Sequence, residues 1–350
     1  MLEKADPARF YLAHSSRGIV SGEGPYCAEE PSFYFANTAT TFHSERGVPN
    51  IPIYESIIRF LKPENRWPIG DSWACHGFYC SGAQRAEQYN KLLEKYYGQP
   101  QELRQFANQA QMLDYSILKA VFEAARANHS KGMLLWMSNS SLPSFVFQLY
   151  DYYLEQNGGY AGVKTACQPI LVFCNPLEKT VMLDCFDGVY AETVCVSAEM
   201  WDVNGQKLYE NRCSVQVKPN SLQNLFTIPE LGKTAFLQMQ VFDGSKIITR
   251  NFDVVFANDL PLSKMKSATV EVIINKETLC FRNNGQIPAL QIRFGFYKDE
   301  DFKENIFYAA DDNYFSLMPG EERTVSYQVC GKQMVCKVEG FNVENQIFKI

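Results

Sequence analysis

The segment Ala39–Val48, ATTFHSERGV, is an apolar, β-prone run that delivers one carboxylate, Glu45, to the mouth of a loop opened by Gly47. About ninety residues later Gly132–Asn139, GMLLWMSN, repeats the design as a buried-type strand ending in an aromatic, Trp136, and an amide, Asn139. Such a pair reads as two barrel strands whose C-terminal ends face a sugar. In a (β/α) barrel the catalytic groups sit at those strand ends, so a carboxylate there is a catalytic candidate and one at the other rim is merely solvated. His43 precedes Glu45 by two residues, so an extended strand puts both on one face and within reach of the same ligand. A satisfied core or rim histidine is the equal alternative. Asn139 can bond a sugar hydroxyl, although as a turn residue it needs no ligand to explain it.

The elements that must position these groups fall into two architectures. Residues 1–165 mix short apolar runs with helical periodicity. Phe10–Ser15 reads as a strand, Ile19–Glu30 as a Gly/Pro-bearing loop, and Ser32–Phe35 as a short aromatic strand ahead of the Glu45 strand. Pro52 opens a helix with Tyr54, Ile57, Ile58 and Leu61 on one face, and Pro63 stops it. Arg85–Tyr97 is a second helix closed by Gly98, and Gln101–Asn128 a third with Leu103, Phe106, Ala110, Leu113, Ile117, Val121 and Ala124 at i+3/i+4 spacing. After the Trp136 strand, Pro143–Glu155 is predicted as a helix ending at Gly158–Gly159. Strand and helix alternate, the pattern of a βα barrel.

From Gln168 the helical signal disappears. PILVFC, TVMLDCF, TVCVSAEMW, CSVQVK, NLFTI, AFLQMQVF and IITRNFDVVF are short runs split by Asn-Pro, Asp-Gly, Asn-Gly and Pro-Asn, which predicts a β-sandwich over residues 166–260. Past a short linker at Asn258–Lys264, the runs ATVEVII, TLCFRN, ALQIRFGFY, RTVSYQV and VCKVEGFNV predict a second sandwich over residues 261–350.

Composition narrows the ligand. A hydrophobic content of 46% with 14% aromatics supports several buried cores, while a net charge of −6 without a basic run argues against nucleic acid or an anionic membrane surface. Neutral, hydroxyl-rich ligands fit best. The aromatic richness suits stacking on sugar C–H faces and suits large sandwich cores equally. Eleven cysteines without CxxC pairing, and His14, His43, His76 and His129 without HExxH spacing, lead us to expect no metal and no cofactor. Cys75 with Cys80, or Cys330 with Cys336, are the conceivable small disulfide loops; buried free thiols are the preferred reading. The N-terminal MLEKADPARFYLAHSS has no apolar signal core, and no eighteen apolar residues run together to span a membrane.

The succession FHSERGVPNIP, YGQPQELRQFANQAQMLDYSILKAVFEAARA and GMLLWMSNSSLPSFVFQLYDYYLEQNGGYAGVKTACQP, followed by SLMPGEERTVSYQV and VEGFNV, resembles glycoside hydrolase family 2 over nearly the whole chain. The branch it resembles is that of the exo-β-glucosaminidase and β-mannosidase-like enzymes. The resemblance implies a retaining glycosidase, with two immunoglobulin-like β-sandwich domains at 166–260 and 261–350 behind a partial (β/α)8 TIM barrel at 1–165, about strands five to eight. It places the nucleophile on Glu45, through the S-E-x-G match, and a sugar-stacking floor on Trp136. Tyr26, in the GEGPY loop, is implied at the entrance.

The family's acid/base closes barrel strand four in an Asn-Glu or Asn-Asp context, for which residues before Phe10 are too few, and the sequence has no Asn-Glu dipeptide. Glu23, Glu29 and Glu30 are weak substitutes. Leu142 stands before Pro143–Ser144 where the family often has Trp, and Arg46 follows Glu45 where a small or polar residue is expected. Trp73 and His76 belong to an insertion that either borders an outer sugar site or simply packs. The partners implied are an oligosaccharide or glycoside substrate and either a second copy or a further N-terminal part that covers an open barrel. The compartment stays open, with a periplasmic or secreted lean from the resemblance.

Overall fold

The computed structural model describes residues 2–22, 26–78, 86–186, 193–257, 262–331 and 333–350. Its first body carries α1 (Leu2–Ala5), α2 (Pro31–Asn37), β1 (Phe42–Arg46), α3 (Tyr54–Phe60), α4 (Asp71–Cys75), α5 (Ala86–Tyr97), α6 (Leu103–Ala127), β2 (Gly132–Leu135) and α7 (Gly158–Ala166). Strands β1 and β2 run parallel, pairing Phe42 with Gly132, His43 with Met133 and Arg46 with Leu135. On the other edge of β1, Val20 forms a parallel bridge to Phe42, whose N–H donates to the Ile19 carbonyl at 3.1 Å. Helices α2, α5 and α6 back this layer, and Tyr34, Phe35, Tyr89, Leu93, Phe106, Leu113 and Val121 form its core.

Three sequence expectations fail here. Phe10–Ser15 is not a strand: Phe10 is exposed, and the pairing with β1 is made by Ile19–Ser21, inside the expected loop. Ser32–Phe35 is helical, because Pro31 sits in the first turn with its φ preset and Tyr34 and Phe35 then share a buried face. Pro143–Glu155 forms no helix. There Asp151 Oδ1 accepts the backbone N–H groups of Tyr153 (2.8 Å) and Glu155 (3.0 Å), an Asx-type turn, and Leu154 takes a φ of 64°. The helix starts where it was expected to stop: Asn157 caps α7 by accepting the Tyr160 N–H at 3.1 Å.

The second body has seven antiparallel strands: β3 (Ile170–Asn175), β4 (Thr180–Cys185), β5 (Thr193–Asp202), β6 (Lys207–Gln216), β7 (Ser221–Thr227), β8 (Ala235–Asp243) and β9 (Lys246–Val255). They form sheets β3-β4-β7 and β6-β5-β8-β9 around Val172, Leu183, Val196, Leu237 and Met239. The third comprises β10 (Glu271–Ile274), β11 (Thr278–Arg282), β12 (Ala289–Tyr297), β13 (Tyr308–Ala310), β14 (Phe315–Leu317), β15 (Glu322–Val329), β16 (Val335–Glu339) and β17 (Gln346–Lys349). Its sheets, β10-β11-β15-β13 and β14-β12-β16-β17, enclose Phe281, Phe294, Phe296, Val325 and Val338. Strands β13, β14 and β17 have three or four residues each, too short for a period-two pattern to register.

Part of the expected linker, residues 258–261, lies outside the described residues, as does Cys80 of the conceivable Cys75 loop. Cys330 and Cys336 form no disulfide. Among the described residues no helix is long and apolar enough to cross a membrane.

Helix α6 ties the bodies together. Roughly 37 Å long at 1.5 Å per residue, it is buried along both of its faces, charged residues included. Lys119 bonds Glu123 (2.9 Å) and Asp253 of β9 (2.6 Å), and Arg126 bonds Asp184 of β4 (2.6 Å) and the carbonyls of Ala166 and Gln168. Towards the third body, Glu55 of α3 meets Arg293 of β12 and Lys337 of β16, with Glu339 closing the network. Pairing of this kind is what keeps buried charge from opposing the fold.

Candidate active site

Glu45 sits one residue from the C-terminal end of β1, half-buried. The Tyr26 hydroxyl donates to its carboxylate. Trp136 follows the end of β2, and its backbone N–H donates to the Arg46 carbonyl at 2.7 Å, so the two strand ends are fastened side by side. Gly47 makes the approach possible: a Cβ there would stand 2.4 Å from the Trp136 carbonyl oxygen and 3.2 Å from the Tyr26 ring. Trp136 keeps 49% of its surface open. A carboxylate with a fixed hydrogen-bond donor, beside an open indole, is suited to attack or stabilise an electron-poor carbon of a ligand lying on the ring.

His43 and Arg46 turn the other way. A register shift between them breaks the period of two, and both are buried. His43 Nε2 meets the Ala39 carbonyl at 3.0 Å, and burial lowers its pKa, with the Arg46 charge adding to the effect. The expected sharing of Glu45's face by His43 therefore does not occur in this structure. Arg46 donates to Thr38 Oγ1 at 3.2 Å, away from the Glu45 to Tyr26 contact.

The segment that follows Glu45 is held by two polar residues that the sequence reading passed over. Asn50 Nδ2 donates to the Gln148 carbonyl (2.6 Å) and to Asn157 Oδ1 (3.0 Å). Asp114 of α6 accepts the Ile51 N–H (2.7 Å) and the Tyr89 hydroxyl (2.8 Å). Burial pushes the Asp114 carboxyl well above the carboxylate range, against those two hydrogen bonds. The available signal was an acidic residue on the apolar stripe of a helix, four residues after Ala110 and three before Ile117.

The other sequence candidates scatter. Asn139 is exposed, bridges Tyr150, and lines a different cavity together with Glu155 and Tyr308. Leu142 projects into solvent. Trp73 is wholly buried, stacked on Phe145 with centroids 4.4 Å apart, and His76 bonds the Pro143 carbonyl at 2.7 Å, so this insertion packs. Glu29 accepts from Gln88 Nε2 (2.6 Å), Glu30 pairs with Lys95, and Glu23 lies outside the described residues.

The described residues thus form an open βα layer with a carboxylate at a strand end, followed by two β-sandwiches. Residues 255–343 match the exo-β-D-glucosaminidase Ig-fold domain family. An exo-β-D-glucosaminidase of Arthroderma benhamiae is 26% identical over 93% of this chain and 42% of its own length. A mannosylglycoprotein endo-β-mannosidase of Lilium longiflorum is 24% identical over 71% of this chain and 29% of its own. The crystal structure of the Amycolatopsis orientalis exo-chitosanase superposes with a TM-score of 0.83 at 21% identity, covering 95% of this chain and 46% of that one. Over most of its length the chain is thus similar to exo-β-D-glucosaminidases and to a β-mannosidase. It spans less than half the length of these relatives.

Proposed function

We propose that the chain is the C-terminal part of a retaining β-glycosidase, with residues 1–165 as the second half of a (β/α)8 barrel and 166–260 and 261–350 as its sandwiches. The supporting observation is the Tyr26 to Glu45 hydrogen bond at a strand end fastened to Trp136. In the proposed reaction the ionised Glu45 attacks the anomeric carbon of a β-linked glucosamine or mannose at an oligosaccharide end. The glycosyl–oxygen bond breaks as a second carboxyl, about 5–5.5 Å away and contributed from outside this chain, protonates the departing oxygen. Water then cleaves the glycosyl ester. Tyr26 fixes the attacking oxygen, and Trp136 receives the C–H face of the sugar.

A second reading, a non-catalytic carbohydrate-binding or structural module that completes a barrel with another chain, is favoured by the exposed Ile19 and Leu134 on the two-stranded sheet and its edge. Apolar surface and open strand edges of this kind are normally covered. The two readings separate on incubation with 2-deoxy-2-fluoro β-glucosides and β-mannosides carrying a dinitrophenolate leaving group, which needs no proton. A mass increment mapped to Glu45 is expected and should vanish in Glu45→Gln. No adduct with either sugar would leave the module reading standing.

A further inference from the structure

Between the 138–160 segment and β13 of the last sandwich lies a cavity of about 550 Å³, the size class of small-ligand sites. Its buried acid is Glu155, 7% exposed. Among the described residues nothing donates a hydrogen bond to the Glu155 carboxyl: its backbone N–H is engaged with Asp151, but its side chain is not. The Glu155 oxygens are not among the fully sealed unpartnered atoms, so the donor to this carboxyl comes from what fills the cavity, water or a ligand.

The nearby cations are already taken. Arg293 is bound to Glu55 and Glu339, while Arg59 donates to Asn305 at 3.0 Å and lies 3.6 Å over the Tyr153 ring. The remaining wall is made for a polyol. Tyr150 and Tyr160 pack at 5.0 Å between centroids, Ser138 and Asn139 offer exposed polar groups, and Phe307 stands at the rim 61% exposed.

We propose that this cavity is a second saccharide site, separate from the Glu45 centre, which takes a protonated amino sugar with its ammonium on Glu155 and its C–H face on Phe307. The choice of an amino sugar rests on the proposed glycosidase reading; the fit of a hydroxylated, hydrogen-bonding ligand to the Glu155 carboxyl rests on the cavity. A metal ion is a poorer fit, since among the described residues no three His, Cys, Asp or Glu side chains converge. Burial, with Asp151 and Glu55 adding to it and Arg293 and Arg59 opposing, pushes Glu155 up to about 8, and the hydroxyls of Tyr297, Tyr308 and Tyr314 also sense it. Entry of an ammonium ionises the carboxyl and its proton leaves to bulk water. Ligand uptake at pH 7 therefore releases close to one proton.

Calorimetric titration of the whole chain with D-glucosamine and with N-acetyl-D-glucosamine, in buffers of different ionisation enthalpy, tests this. Glucosamine should bind about tenfold or more tightly than its uncharged N-acetyl counterpart, with proton release, as loss of a charge-assisted hydrogen bond implies. Glu155→Gln should abolish that preference, and Phe307→Ala, at an exposed position, should weaken both sugars. Equal affinities for the two sugars, binding indifferent to both substitutions, or no heat with glucosamine would overturn the proposal. The Glu45 adduct is a separate readout: an adduct without Glu155-dependent binding removes only the second site, and the converse removes only the catalytic reading.

Discussion

Tyr26 and Gly47 fix the surroundings of the Glu45 carboxylate. Without the phenol, the carboxylate loses a charge-assisted donor of about 1.5–3 kcal/mol and is free to rotate. Tyr26→Phe should therefore slow adduct formation at Glu45 by about ten- to a hundredfold, read from a mass-spectrometric time course, with little change in thermal unfolding. An unchanged rate would remove Tyr26 from the site. The placement of Glu45 and Trp136 at the ends of adjacent strands was legible in sequence, because each closes an apolar, β-prone run. What spacing did not convey was the purpose of Gly47, which serves close approach to the Trp136 backbone rather than opening a loop. Nor could it convey that a register shift turns His43 inward, since alternation assumes an unbroken ladder.

At the scale of elements, the α6 to α7 crossing is tightly constrained. A Cβ on Gly158 would come 2.1 Å from the Gln111 carbonyl oxygen, and one on Gly162 would come 2.3 Å from that of Tyr115. Backbone stands directly against backbone, so no side chain can swing aside. Gly162→Val should cost about 1–3 kcal/mol or more of overpacking, measured as a lower urea midpoint with an unchanged slope. A variant as stable as the parent would mean that the helices separate without penalty. The same contact explains why the Asn157–Gly158–Gly159 run misled: glycine suggests a helix end, but here it marks a helix start pressed against a neighbour, and Asn157 is the cap. Helices α3, α5 and α6 and the seven strands of the first sandwich were legible because apolar periodicity and turn dipeptides agree there. In 143–155 the apolar residues instead serve a turn organised by Asp151, which periodicity does not encode.

On the scale of the whole molecule, ionisable groups buried within and between the bodies make stability depend on pH in two opposed ways. Burial alone would raise the Glu55 carboxyl, but Arg293 and Lys337 outweigh it and hold it below the usual range. Its contribution is present above the unfolded carboxylate value of about 4.3 and is lost as pH falls further. Asp114, Asp151 and Glu155 are raised by burial, Glu155 to about 8. For these the native state holds a proton that the unfolded chain gives up, so their contribution is complete below about 4 and drains away as pH rises through the folded value. The balance predicts greatest stability in mild acid and a decline from pH 5 to 8. Because a side-chain amide holds no titrating proton, Glu155→Gln should flatten that decline by up to about 1.4 kcal/mol per pH unit, one proton's worth of linkage, in urea unfolding measured across this window. Parallel profiles for the two proteins would show that Glu155 stays ionised in the native state, and the same result would remove the proton release expected on amino-sugar binding.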